Sequence, residues 1–208
     1  MRTLFIFIFT VVAGSAFAQS STEDFKKALM KTKDGAEIAY TSNKHSFTFN
    51  IVADSIKPLQ NPGYLIVNNK VIQYILIGNS ALLASDSTQE KQKQQLLGYM
   101  QYELEYIRGE LKIDYQNLHN EWLDLNGKTF LLWYYDMPPN SDKKANVTKQ
   151  INLSTMCFTH VLNMNTPFEM NDDLEKDKHM LTAIAETLKM NNFTIDFNEL
   201  YKKLNGGG

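Results

Sequence analysis

The sequence predicts an α+β protein: a mainly antiparallel sheet of about six to seven strands with helices on both faces, an α/β/α sandwich. Three observations carry this expectation. Asn126-Gly127 lies between two apolar runs, the strongest short-range signal for a two-residue β-hairpin. The run after it, Phe130-Leu131-Leu132-Trp133-Tyr134-Tyr135, is apolar at every position, so a strand made from it must be covered on both faces. Two stretches with three- and four-residue apolar spacing, each behind a capping sequence, supply helices to cover them.

With Asn126 and Gly127 as the loop, the register is determined. Leu125 faces Lys128, Leu123 faces Phe130, Glu121 faces Leu132 and His119 faces Tyr134. The other side carries Trp122, Asn120 and Leu118 against Leu131, Trp133 and Tyr135. Large apolar groups on both sides make Phe130 to Tyr135 the central strand of the expected sheet.

Residues 1–18 read as a cleavable signal peptide, with Arg2 as the charged start, Leu4 to Val12 as the apolar segment and Ala16-Phe17-Ala18 as the cleavage site. The apolar segment is shorter than the ~20 residues needed to span a bilayer. The expected organisation is one globular domain over residues 19–205 and a disordered glycine tail, residues 206–208. Export is expected to the periplasm or beyond, as a bacterial chain without a lipid anchor, because no cysteine stands at the cleavage point.

The net charge of −2, falling to −3 when Arg2 leaves with the signal peptide, gives no basic surface for nucleic acid. With 43% apolar and 12% aromatic residues, the chain can bury a core without staples. Cys157 is the only cysteine, so no internal disulfide can form.

Ser21-Thr22-Glu23-Asp24 suggests a helix start, with Phe25, Ala28 and Leu29 as its apolar stripe and Gly35 as its stop. Phe47, Phe49 and Ile51 alternate with polar residues and predict a half-buried strand. Tyr64 to Val67 and Val71 to Ile77 predict a hairpin around Asn68-Asn69, its second strand inside the sheet. Ser87-Thr88-Gln89-Glu90 reads as a capping box for a helix whose stripe is Leu96, Leu97, Met100, Leu104, Ile107 and Leu111, with Gly109 as C-cap. Tyr99, Tyr102 and Tyr106 form a second line at the edge of that stripe, hydroxyls in water. Apolar residues shift from odd to even positions at Ser154-Thr155, which predicts either a turn or a bulge there. Asn171-Asp172-Asp173 caps a last strong helix with Leu174, Leu181, Ile184, Ala185 and Leu188 buried, and a short amphipathic tail runs from Phe193 to Leu204.

Chemistry has few candidates. The zinc, nucleophile-elbow, phosphate-loop and calcium-loop motifs are missing, and no cofactor or metal is expected. Glu175 and His179, four apart on a helix, could share a metal but read more simply as a solvated pair. Cys157 and His160 would point to opposite faces of one regular strand, leaving a packed cysteine and no nucleophile–base dyad. His119 and Glu121 share a strand face with Tyr134 opposite, the one titratable cluster that the pattern brings together and the candidate acid–base group.

The element order, and in particular Trp122-Leu123-Asp124-Leu125-Asn126-Gly127-Lys128-Thr129-Phe130-Leu131-Leu132-Trp133-Tyr134 followed by Val147 to Leu162 and the helix Leu174 to Leu188, resembles the PsbP-like α/β/α sandwich. The resemblance implies an accessory or binding role and places no site residue. The expected function is therefore an exported, non-catalytic binding or accessory module for a protein or small ligand, neither nucleic-acid-binding nor membrane-spanning. The alternative is a hydrolase-like enzyme using His119, Glu121 and Tyr134.

Overall fold

The computed structural model describes residues 23–78, 88–138 and 146–206. The expected signal peptide, Ser87 of the capping box, most of the loop after Pro138 and the last two glycines lie outside the described residues. In chain order the elements are β1 (Lys26–Thr32), β2 (Gly35–Thr41), β3 (Ser46–Val52), β4 (Ile56–Pro58), β5 (Tyr64–Val67), β6 (Lys70–Gly78), α1 (Gln89–Gly109), β7 (Gln116–Leu125), β8 (Lys128–Asp136), β9 (Val147–Cys157), β10 (His160–Glu169), α2 (Leu174–Ala185), β11 (Lys189–Asn191) and α3 (Phe197–Asn205).

Among the described residues the strands form two sheets, and every pairing is antiparallel. The large sheet has seven strands in the order β4-β5-β6-β10-β9-β8-β7, and the small one has four in the order β1-β2-β3-β11. The α+β class and the large antiparallel sheet are as expected. One face of that sheet packs Leu131, Trp133, Tyr135, Met156 and Val161 under Leu96, Met100, Leu104 and Ile107 of α1. The other face packs Phe130, Leu132, Ile151, Leu153 and Leu162 against both Leu181 and Ile184 of α2 and Ile38, Phe47 and Phe49 of the small sheet. A helix and a second sheet thus share the covering of this face.

The register read from Asn126-Gly127 holds from Leu125↔Lys128 to His119↔Tyr134. Asn126 (φ 53°) and Gly127 (φ 77°) adopt the left-handed conformations that this tight turn needs. Beyond His119 the expected Leu118–Tyr135 pair is replaced by a register shift at Asn117 (φ 48°). β8 is an interior strand but stands next to the edge, and β10 occupies the centre. The burial of β8 on both faces is as predicted, whereas β7 lies at the edge and is largely uncovered.

The expected first helix is instead the strand β1, joined to β2 by the turn Lys33-Asp34. Gly35 is therefore no helix stop. It opens β2 at φ 148°, and a Cβ there would lie 2.0 Å from the Ile51 carbonyl oxygen. Pairing along the whole length of β2 overrides a weak local helix signal. The N-cap of α1 is Thr88, whose hydroxyl accepts from Lys91 N at 3.4 Å. Glu90 then stands one position too early to close the expected capping box. Gly109 is the last residue of α1 and does not cap it, since the C-cap is Glu110 in right-handed conformation. Leu111 lies past the helix, as Leu188 lies past α2. The Asp173 cap of α2 is as read, its carboxylate accepting from Glu175 N and Lys176 N.

Ser154-Thr155 is neither a turn nor a bulge: β9 runs through it in regular register with β10. Both faces of β9 are buried, so odd positions such as Ile151 and Leu153 meet one core and Met156 the other. Met156 alone changes face, whereas Leu162 and Met164 lie beyond the turn Phe158-Thr159, which returns even positions to the core of Ile151 and Leu153.

Leu132 is fully buried in the core between the sheets. Leu132→Ala is expected to cost ~2–5 kcal/mol in urea unfolding, the range for a cavity at such a site. A loss below about 1 kcal/mol would mean that the site collapses or is not packed on both sides.

Candidate functional site

Of the three residues singled out in the sequence, His119 and Tyr134 meet across the strands, whereas Glu121 is held by a different partner. The His119 ring stacks on Tyr134 at 4.9 Å and 19°. The Glu121 carboxylate instead takes the Lys178 ammonium of α2 at 2.9 Å, and Lys178 also reaches Glu175 at 3.3 Å. The hydrogen bond to Glu121 raises the Lys178 pKa more than burial lowers it. Next to His119, burial opposes ionisation of Asp136, but hydrogen bonds from Lys149 and Asn117 and the nearby charges outweigh it and lower its pKa. His119 and Glu121 thus lie on an exposed edge strand, with the carboxylate engaged in an ion pair. Glu175 and His179 are exposed, and Glu175 is drawn to Lys178. Among the described residues no three His, Cys, Asp or Glu side chains converge as metal ligands.

A second titratable cluster forms at the end of the sandwich where the β2–β3 and β9–β10 connections meet. His45 Nδ1 lies 2.8 Å from one Glu23 oxygen and 3.0 Å from the other, and the Ser42 hydroxyl donates to the same carboxylate. Burial disfavours the charged Glu23, but these hydrogen bonds and the imidazole hold its pKa below the ordinary value. Serine, histidine and acid are all present, yet both donors address the acid. A nucleophilic triad needs the hydroxyl on the second ring nitrogen, so this carboxylate anchors two segments and activates neither. The His45 ring stacks on Phe158 at 4.1 Å, and Phe25 meets His160 edge-on at 5.1 Å.

Phe158 and Thr159 form the β9–β10 turn, with Phe158 at φ 57°. Cys157 and His160 therefore belong to two strands and are cross-strand partners, contrary to the opposite faces expected of one strand. Cys157 is fully buried, and burial pushes its thiol up to about 12 despite the nearby Lys128 amine. Burial also lowers the pKa of His160, with Glu23 and Asp24 opposing. A neutral, enclosed thiol is a packed cysteine, not a nucleophile. Sequence reading missed the Glu23–His45 pair because 22 residues separate them and only strand pairing brings them together.

Polar groups also lie beneath α1. Gln150, Asn165 and Gln73 are joined by hydrogen bonds of 3.0 and 2.9 Å, crossing from β9 through β10 to β6. Beside them Trp133 Nε1 donates to Ser154 Oγ at 3.1 Å, Ser154 donates to Asn163 at 2.8 Å, and Asn163 donates to Asn152 at 3.3 Å. Tyr99 is buried with the main stripe of α1, so it does not belong to the wet edge with Tyr102, which is 61% exposed. Burial lifts the Tyr99 and Tyr135 phenols well above their usual range and pushes the Glu103 carboxyl up to about 7.

Native Glu103 keeps its proton up to about 7, whereas the unfolded chain releases it near 4.5. The native state binds more protons in that window, so this residue makes stability fall as pH rises through it. Glu103→Gln is expected to remove that part of the fall, seen as a shallower pH slope of the urea midpoint between about pH 5 and about pH 8. Equal slopes in variant and wild type would contradict this. Glu23 acts with opposite sign: its lowered pKa stabilises the fold above 4.5, and the contribution is lost as pH falls. The penalty of Glu23→Gln should therefore shrink towards acid.

No family model and no curated protein matches this sequence. Among solved structures the chain is similar to "Solution Structure of Cyanobacterial PsbP (CyanoP) from Synechocystis sp. PCC 6803", at 12% identity and a TM-score of 0.41, over 85% of this chain and 98% of that one. The PsbP-like resemblance of the sequence is supported at the structural level only, and concerns the fold alone. Among the described residues no helix is long and apolar enough to cross a membrane.

Proposed function

We propose that this chain is an exported accessory module, periplasmic or secreted, that holds an extended segment of a partner protein along the open edge of β7. The observation that carries this reading is the exposure of six successive residues, Gln116 to Glu121, on a strand that ends the seven-stranded sheet. Such a strand presents unpaired backbone donors and acceptors to any extended chain laid beside it. Leu118, 38% exposed, and the stacked His119 and Tyr134 supply side-chain contacts on the two faces. The other end of the same sheet is the three-residue β4, which ends in Pro58 and offers little to pair with.

Export rests on the charge, apolar segment and cleavage pattern of residues 1–18. The Lys178–Glu121 ion pair favours binding over the acid–base alternative, because a general base must be free to reach its proton.

A photoreactive residue placed at Asn120 is expected to give a discrete adduct with a partner in the native envelope, whereas one at Tyr201 should not. Adding Leu118→Lys beside the probe should weaken the adduct about tenfold, since edge lysines oppose strand addition. Equal labelling from both positions, or none from Asn120, would overturn the reading. Retained adduct with loss of a hydrolytic activity in His119→Ala would move the function to the acid–base alternative.

A further inference from the structure

At the side of the molecule away from β7, the two sheets part. On β1, Lys27, Leu29 and Lys31 pair with Tyr40, Ile38 and Ala36, so they point to the inner side of the sandwich, where Ile38 and Tyr40 belong to the core. Leu29 is nevertheless 37% exposed. The space before it is a groove of about 460 Å³ between β1 and β4, lined by Leu29, Lys31, Lys33, Ala53, Ile56 and Pro58. That volume falls in the ~300–1,000 Å³ range of small-molecule sites.

The groove has an apolar floor and a cationic rim. Ile56 packs against the inter-sheet core, and Ala53 extends that surface. Among the described residues no carboxylate pairs with Lys31 or Lys33, and Asp54 is the one acid in the lining. Lys27 lies further along the same face, its ammonium 5.6 Å from the Tyr74 ring centre. We propose that this groove binds an amphiphilic monoanion, its chain against Leu29, Ala53 and Ile56 and its headgroup between Lys31 and Lys33. Inward lysines on an edge strand also discourage strand addition. That role requires neither an apolar floor nor a choice among ligands by charge, and the test separates the two.

Laurate, below its micelle concentration, is the probe, with dodecyltrimethylammonium as the cation of equal chain length. Laurate is expected to bind saturably in calorimetry and to shift the amide resonances of Leu29, Ala53 and Ile56. The cation should bind at least about tenfold more weakly, a difference of ~1.4 kcal/mol. Lys31→Glu with Lys33→Glu should remove the preference for the anion. Both sites are exposed, and circular dichroism checks that the variant folds. Ile56→Glu should abolish laurate binding through the floor. The proposal is overturned if laurate does not saturate, if anion and cation bind alike, or if the shifted amides lie elsewhere. Laurate silent, with the double variant forming aggregates that wild type does not, would leave the lysines as guards of an edge.

Discussion

Everything in this fold follows from three neighbouring strands, β8, β9 and β10, that cannot tolerate water on either face. Phe130 and Leu132 point one way and Leu131, Trp133 and Tyr135 the other, all nearly inaccessible to solvent. Each buried side chain of this size stabilises the fold by ~1.5–3 kcal/mol relative to exposure, so both faces must find a cover. One helix suffices on the side of Trp133. The opposite side is wider, and α2 shares it with the inner face of the small sheet. The outer strands β4 and β7 are what remains where the covers end.

That dependence explains what could be read from the sequence. A turn of fixed geometry at Asn126-Gly127 and a period of two fixed the pairs from Leu125 to His119 without any tertiary information. Asp173 marked the start of α2 because a helix cap is a local bond. β1 escaped notice because its inward positions include Lys27 and Lys31, so the alternation that marks a half-buried strand is missing. β11 is three residues long and exists only by pairing with β3. β9 hid its regularity because burial on both sides removes alternation altogether. Of the site residues, the His119–Tyr134 contact was legible as a cross-strand pair. The Lys178 partner of Glu121 was not, since nothing in either segment specifies that α2 comes within reach of β7.

The two cores differ in wetness. Between the sheets the packing is almost wholly apolar, and burial there keeps the Cys157 thiol and the His160 ring neutral, as it does the Tyr40 and Tyr74 phenols. Beneath α1 the interior carries amides, hydroxyls and the Glu103 carboxyl, so this side responds to proton activity. A low-dielectric interior makes such groups costly unless paired, and most of them are paired across strands.

The chain of amides under α1 has a consequence for how the chain finds its alignment. In a strand with one wet face, slipping by one residue exposes the apolar side and is penalised at once. β8 lacks that safeguard, because a slip would exchange one apolar surface for another. The links Gln150–Asn165–Gln73 and Trp133–Ser154–Asn163–Asn152 exist in one alignment only. Any shifted alternative would strand several donors and acceptors out of reach of water, at ~1–3 kcal/mol for each. The polar residues in this otherwise oily interior thus act as a combination lock, selecting the native ladder from near-equivalent competitors that hydrophobicity cannot tell apart.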